Sequence, residues 1–277
     1  FVLRYSVYDE GKGIFPDISK PLPVKEHCQH PMPMREIGKS MLIIRENADK
    51  WLVDTDRIAI CGFSAGAHNA AMYATNWHRS IISDYFGENK EMFRPAAVIL
   101  GYTLSDYVFM NNNSTKASLM DKLLFKASST ALLGTDNPSE DLLDEVSPAK
   151  LVTENMPPTY IWVTAADELV PVQHSILMAY ALAEHKIPFE MHIFEEGMHG
   201  LALATQATAA SKKQIESDAA KWADLAGCWL EKRFAFDLPD KTPFEEMIEK
   251  GYAHAQHFTD EAVYQQLMAV YKKIEQL

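Results

Sequence analysis

A serine between two glycines, in the segment Gly62–Gly66 (G-F-S-A-G), is the side chain of this sequence best suited to act as a nucleophile. The apolar run Ile58–Cys61 before it has the length of a strand, and the small residues from Ala67 onward predict a helix. A serine at such a junction lies on a tight turn, where the residues two before and two after it must lack bulk. The alternative is a loop serine that does no chemistry. The segment predicts an exposed Ser64 hydroxyl, with the Ala65 N–H at a helix N-terminus where it could bind an oxyanion.

An acid and a histidine follow two later segments that resemble strands. Thr159–Thr164 is rich in β-branched and aromatic residues and leads to Asp167, and Phe189–Phe194 alternates like a strand and leads to His199. The carboxyl ends of parallel strands share one edge of a sheet, and ligands bind at that edge. A nucleophile, an acid and a base follow one another in this order in strand-turn-helix architectures of this kind. We therefore expect Ser64, Asp167 and His199 to lie close together.

Three motifs stand at these positions: G-F-S-A-G at 62–66, D-x-x-V-P at 167–171 and E-G-M-H-G at 196–200. They resemble motifs of the α/β-hydrolase superfamily, and more closely those of its esterase branch, which includes acetyl-xylan-esterase-like carbohydrate esterases and lipase-like proteins. The resemblance covers about residues 1–235 and implies Ser64 as nucleophile, His199 as general base and Asp167 as its partner. Either Asp167 or the neighbouring Glu168 could in principle orient the histidine, and the spacing of the motif favours Asp167.

The fold implied by this resemblance is a three-layer α/β-hydrolase sandwich, with a mostly parallel sheet and helices on both faces. The hydrophobic pattern predicts strands at 1–8, 58–61, 95–102, 159–164 and 189–194, and helices at 34–50, after Ser64, at 171–186 and at 211–235. We expect a core at 1–238 with an insertion at 104–157 that forms a cap over the pocket. The alternative is that this insertion is a surface excursion with no role in binding. Residues 239–277 are predicted to be a separate helical tail, with a seam only two heptads long.

Composition and charge exclude several classes of protein. A chain of 277 residues with 47% hydrophobic content is expected to form one large domain, and a formal charge of −12 argues against nucleic acid or an anionic membrane as partner. No apolar run approaches the ~20 residues that would span a bilayer. The three cysteines are too few and too scattered for a disulfide framework, which favours a cytoplasmic location.

No cofactor and no metal are expected. His27, Cys28 and His30 lie close together, but their spacing fits no common zinc site. The expected partner is a small-molecule ester. The tail could dock onto the chain's own body or onto a second copy, so a homo-oligomer is an open alternative.

Three side chains flank the catalytic motifs and are expected near the acyl or alcohol group of a substrate: Phe63, Tyr102 and Met198. The alternative for Phe63 and Tyr102 is that both pack against the sheet, as buried aromatic residues often do.

The expected activity is hydrolysis of a short-chain acyl ester, with an acetyl group on a sugar as one possibility, through an acyl-enzyme on Ser64. Two alternatives stay open. A serine peptidase of the prolyl-oligopeptidase type shares the order of the three residues, and a binding protein without activity could use the same fold.

A second oxyanion donor is missing from its usual place, because the sequence contains no glycine-rich loop of the H-G-G-G type. The chain also begins inside a predicted strand, at residues 1–8, without a methionine. Both observations suggest a chain that lacks its N-terminal strands and has an open sheet edge beside residues 1–8. The alternative is that the proline-rich loop at 9–33 supplies the second donor.

Overall fold

The computed structural model of the protein describes residues 1–8, 22–114 and 119–235. Contacts divide the chain into two compact units, Phe1–Trp229 and Leu230–Leu277. The elements below belong to the first unit, apart from the last residues of the final helix. The predicted tail at 239–277 lies outside the described residues, and so do residues 9–21 of the predicted loop at 9–33.

Four parallel strands form the sheet: β1 (Ala59–Phe63), β2 (Ala97–Gly101), β3 (Thr159–Thr164) and β4 (Phe189–Phe194), in the order β1-β2-β3-β4. The predicted bounds of the last two strands are confirmed. Every residue of β2 and β3 is buried, as expected for parallel strands covered on both faces. Because the strands are parallel, all four carboxyl ends lie at one edge.

Residues 1–8 do not form the predicted strand. Their alternating pattern suits a strand, but a strand exists only where a second backbone completes its hydrogen bonds, and among the described residues β1 pairs with β2 alone. The segment is held by side chains instead. The backbone N–H and hydroxyl of Ser6 donate to the carboxylate of Glu36, over 2.7 and 2.5 Å, and the ring of Phe1 lies 5.2 Å from that of Trp51.

The described helices are numbered here in chain order. They are α1 (Met32–Glu46), α2 (Ala48–Trp51), α3 (Ala65–Asn76), α4 (Ser80–Phe86), α5 (Tyr107–Ser114), α6 (Leu119–Leu133), α7 (Glu140–Glu145), α8 (Gln173–Glu184) and α9 (Trp222–Phe234). The helix predicted at 34–50 is divided at Asn47, which gives α1 and α2. The helix predicted at 211–235 is regular only from Trp222, because two short 3-10 turns precede it.

Both faces of the sheet are covered, as neighbouring residues of β3 show. Ile161 packs in a cluster with four alanines of α3 and with Met178 and Leu182 of α8. The next residue points to the opposite face, where the Trp162 ring stacks on Trp222 of α9 with centroids 5.0 Å apart. The small alanine side chains let α3 approach the sheet closely. The predicted α/β-hydrolase sandwich is confirmed.

The insertion at 104–157 contains helices α5, α6 and α7. It has a small apolar cluster of its own, formed by Tyr107, Phe125, Leu143 and Val146. The hydroxyl of Ser139 caps α7 by accepting a hydrogen bond from the N–H of Leu142. Within the described ranges, no helix is both long and apolar enough to cross a membrane.

Candidate active site

Ser64 occupies a strained turn between β1 and α3. Its φ of 52° and ψ of −122° are unfavourable for a residue with a side chain. The turn is held by the Ser64 N–H, which donates to the Gly101 carbonyl over 3.0 Å. A Cβ at Gly62 would lie 2.3 Å from the carbonyl oxygen of Gly66, so glycine is required there, as the sequence pattern predicts. Ala65 is the first residue of α3, where backbone N–H groups have no partner within the helix.

The structure brings the three predicted catalytic side chains together. Ser64 Oγ lies 2.8 Å from Nε2 of His199, and Nδ1 of the same ring lies 2.7 Å from Oδ2 of Asp167. Oδ1 of Asp167 accepts hydrogen bonds from the N–H groups of Leu169 and Val170, each over 2.9 Å. A carboxylate fixed in this way orients Nδ1–H toward itself and leaves the Nε2 lone pair facing the hydroxyl.

The neighbouring carboxylate occupies a different environment. The side chain of Asp167 is 1% exposed, whereas Glu168 lies on the surface. The carboxylate that contacts the histidine is that of Asp167.

The loop that carries His199 is anchored at its glycines. The hydroxyl of Thr164, at the end of β3, donates to the Gly197 carbonyl over 2.7 Å. Gly197 has a φ of +133°, and a Cβ there would lie 2.8 Å from side-chain atoms of both Thr164 and Leu201. The amide of Gln214 donates to the carbonyl of Gly200 over 3.3 Å. Gly197 is thus required both by its backbone conformation and by the close packing around it.

The three predicted pocket residues lie elsewhere around the site. The ring of Phe63 packs 5.8 Å from that of Tyr102 and 5.5 Å from that of Trp222. Tyr102 is 4% exposed and its ring lies 4.9 Å from that of His199. Met198 is 45% exposed. None of the three is among the described residues that line the cavity beside the serine.

That cavity has a volume of about 310 Å³ and is bounded on one side by Ser64 and Ala65. The insertion contributes several of the other lining residues, and we call the following five the cavity wall: Leu104, Tyr107, Met110, Leu124 and Leu132. Further lining residues come from the N-terminal residues 5–8, from Cys28 and Pro33 of the proline-rich segment, from His68 and Asn69 of α3, and from Leu169 and Val170. The position of the insertion in the sequence indicated a cap, but no pattern identified which of its side chains face the serine.

Three buried groups are uncharged at neutral pH: His68 and Tyr107, which line the cavity, and His174, which lies outside its described lining. Burial lowers the pKa of His68 to about 4, and also that of His174 to about 4. Burial raises the pKa of Tyr107 to about 12. Nδ1 of His68 lies 3.1 Å from the carbonyl oxygen of Leu104, and this contact joins α3 to the cavity wall.

Metal ligands are not grouped in the part of the chain that the structure describes: no three His, Cys, Asp or Glu side chains there could hold one ion. The proline-rich loop at 9–33, the predicted alternative source of a second oxyanion donor, is only partly within the described residues.

Comparison with known proteins gives the same assignment of the fold. Residues 24–182 match the model of the BD-FAE family. Over 205 residues the chain is 35% identical to endo-1,4-beta-xylanase B of Butyrivibrio fibrisolvens, which is 74% of this chain but only 28% of that protein. The chain therefore spans little more than a quarter of the length of this relative.

Solved structures of similar fold include three hydrolases. The carboxylesterase Cest-2923 from Lactobacillus plantarum WCFS1 superposes with a TM-score of 0.60 at 27% identity, covering 78% of this chain and 71% of its own. The acetyl ester-xyloside bifunctional hydrolase from Caldicellulosiruptor lactoaceticus gives 0.58 at 30% identity, with 74% and 66% covered. MGS-M1, an alpha/beta hydrolase from a Medee basin deep-sea metagenome library, gives 0.55 at 27% identity, with 77% and 69% covered. The chain thus belongs to the BD-FAE family and has the α/β-hydrolase fold.

Proposed function

We propose that the chain is a serine hydrolase of carboxylic esters and acts on short-chain acyl esters, among them acetyl groups on sugars. One observation carries this proposal: the hydrogen-bonded series from Ser64 Oγ through His199 to Asp167, with distances of 2.8 and 2.7 Å, beside a cavity. Relatives named carboxylesterase and acetyl ester-xyloside hydrolase support it.

The first half of the reaction forms an acyl-enzyme. Ser64 Oγ attacks the ester carbonyl while Nε2 of His199 takes its proton, and the buried carboxylate of Asp167 stabilises the resulting imidazolium. The negative charge that develops on the carbonyl oxygen is stabilised by the Ala65 N–H at the start of α3. The imidazolium then donates its proton to the leaving alcohol, and the acyl group stays on the serine.

The second half removes the acyl group. His199 takes a proton from water, which attacks the acyl carbonyl, and the proton then returns to the oxygen of Ser64 as the acid leaves. Every proton transfer in both halves uses the same Nε2 atom. The orientation of one imidazole ring therefore controls the whole cycle.

The cavity favours an uncharged group of modest size. Its volume of about 310 Å³ lies at the lower end of the range of small-molecule sites, roughly 300–1,000 Å³. The leucines and Met110 of the cavity wall offer apolar contact, and burial keeps His68 neutral. A charged acyl or alcohol group would lose its hydration there without gaining a partner of opposite charge among the described lining residues.

The test is a panel of p-nitrophenyl esters of increasing chain length, assayed beside acetylated sugars and aminoacyl amides. We expect hydrolysis of acetate and other short esters by the wild-type chain and none by Ser64→Ala. Preferred hydrolysis of the amides would identify a peptidase of the prolyl-oligopeptidase type. If the wild-type chain hydrolysed none of these substrates faster than buffer alone, the result would instead support a binding protein without activity.

A further inference from the structure

Two aromatic side chains bind the backbone of a single residue, Ala202, in the loop that carries His199. The N–H of Ala202 donates to the hydroxyl oxygen of Tyr102 over 3.1 Å. Nε1 of Trp222 donates to the carbonyl of Ala202 over 2.8 Å. Tyr102 follows β2 and Trp222 begins α9, so residues 100 and 20 positions away in sequence hold this residue on both sides.

Ala202 needs such support because its backbone is in the left-handed region. Its φ is 51°, and that of Gly200 before it is 83°. A residue with a Cβ is unfavourable there and keeps this conformation only where surrounding contacts fix it. The two hydrogen bonds to Ala202 are contacts of that kind.

Tyr102 also contacts the catalytic ring directly. Its ring lies 4.9 Å from the imidazole of His199 at an angle of 72°, which is an edge-to-face arrangement. Its own φ of 38° is unusual, and its N–H donates to the Trp162 carbonyl over 2.7 Å. Burial raises the pKa of Tyr102 to about 12, so the hydroxyl stays protonated and neutral. Tyr102 is therefore fixed at its backbone and touches the histidine loop at two points.

We infer that Tyr102 is a positioning residue: its hydroxyl holds the Ala202 peptide and its ring supports the imidazole, so that Nε2 of His199 stays in line with Ser64 Oγ. This inference rests on the proposed function. It assigns Tyr102, which the sequence suggested as a pocket residue, to the orientation of the base.

Tyr102→Phe tests the inference, because it removes only the hydroxyl and keeps the ring. Tyr73→Phe is the matched control: Tyr73 is fully buried, and its hydroxyl also makes one backbone hydrogen bond, to Phe93 O over 2.6 Å. For Tyr102→Phe we expect kcat for p-nitrophenyl acetate to fall about tenfold and KM to stay within about twofold, since a small misplacement of a catalytic group is costly in rate. Tyr73→Phe should leave both constants unchanged, and we expect both variants to lower the melting temperature.

A second readout does not depend on turnover. The proton shared by Nδ1 of His199 and Asp167 should give a low-field NMR signal in the wild type and in Tyr73→Phe, and this signal should broaden or vanish in Tyr102→Phe. Full kcat together with an unchanged signal in Tyr102→Phe would overturn the inference, and so would equal losses in the two variants. If the wild-type chain hydrolyses no ester, the proposed function fails, and the NMR signal alone decides the role of Tyr102.

Discussion

Two regions meet at Ser64 and are held together in different ways. The first, which we call the reactive edge, consists of the loops after β1, β3 and β4 that carry Ser64, Asp167 and His199. Its backbone and side chains are fixed by short hydrogen bonds, among them those to Asp167 Oδ1 and to the carbonyl of Gly197. The second is the cavity wall, whose Tyr107 belongs to an apolar cluster packed against the partly buried Leu104, Met110 and Leu132.

Because one region is held by hydrogen bonds and the other by apolar packing, each should control a different property of the reaction. Hydrogen bonds are directional, so the reactive edge fixes individual atoms relative to one another. Apolar packing has no direction, and it tolerates exchanges of side chains as long as volume is conserved. Substitutions at the reactive edge should therefore change the rate for every ester, whereas substitutions in the cavity wall should change which ester is preferred. The following predictions test this division, from the largest expected effect to the smallest.

Ser64→Ala removes the proposed nucleophile and should have the largest effect. We expect kcat on every ester to fall by about 10⁴-fold or more while the protein stays folded. The measurement is hydrolysis of p-nitrophenyl acetate beside a thermal unfolding curve. A variant that keeps more than about a tenth of the wild-type rate would show that another group is the nucleophile.

Asp167→Asn should follow, with a loss of about 10³–10⁴-fold in kcat, because an amide can donate to Nδ1 and so favours the wrong tautomer of His199. Glu168→Gln is the matched control, since it makes the same exchange at the exposed neighbour. We expect its kcat to stay within about twofold of the wild type. The reverse ranking would assign the acid to Glu168.

Acid should destabilise the folded chain through two buried histidines, His68 and His174. The pKa of His68 falls from 6.5 to about 4 on burial, and that of His174 does likewise, so between these values the unfolded chain binds more protons than the folded one. The protonation of these two histidines therefore leaves the free energy of unfolding unchanged above pH 6.5 and lowers it as the pH falls toward 4. Each histidine contributes a loss of order 3 kcal/mol at pH 4.

Urea unfolding from pH 7 to pH 4.5 measures the slope of the free energy of unfolding against pH. His68→Asn keeps a donor for the carbonyl of Leu104 and removes the titration, so its slope should be flatter. The same exchange at His185, which lies on the surface, should leave the slope unchanged. Equal slopes in all three proteins would mean that His68 takes up a proton as easily in the folded chain as in the unfolded one.

Met110→Ala should have the smallest effect on rate and a clear effect on preference. Met110 lines the cavity, and shortening it enlarges the space beside Ser64. We expect the ratio of kcat/KM for butyrate to that for acetate to rise roughly fivefold. Met198→Ala makes the same change beside His199 but outside the described lining of the cavity, and should leave the ratio unaltered. If only Met198→Ala changed the ratio, the substrate would bind where the sequence first suggested.

The reactive edge was largely predictable from the sequence. Each of its features depends on a few consecutive residues: a strand of regular pattern, a glycine that a tight turn requires, and a polar side chain just after the strand. Strands β3 and β4 have the predicted bounds for this reason, and Gly62 lies where a side chain cannot fit.

Features that depend on distant contacts were not predictable. Residues 1–8 alternate like a strand, but whether they form one is decided by a partner elsewhere in the chain. The hydrogen bond between the Ala202 N–H and the Tyr102 hydroxyl joins positions 100 residues apart. Helix α9 begins later than its pattern suggests, because residues before and at its start bind the loop after β4. The N–H of Glu216 donates to the carbonyl of Ala204, and Nε1 of Trp222 donates to that of Ala202. No local pattern records such contacts.

The order of the strands in the sheet is the same as their order in the chain, and this has a consequence for synthesis. The ribosome makes the 135 residues from Ser64 to His199 in roughly 7 to 27 s at 5–20 residues per second. During that interval the nascent chain carries Ser64, the proposed nucleophile, but not His199, the base that we propose activates it. The loop after β4 is the last of the three loops of the reactive edge to be synthesised. We therefore expect Ser64 to stay unreactive until β4 has joined the sheet. An interrupted chain would then release an inert fragment rather than an unselective hydrolase.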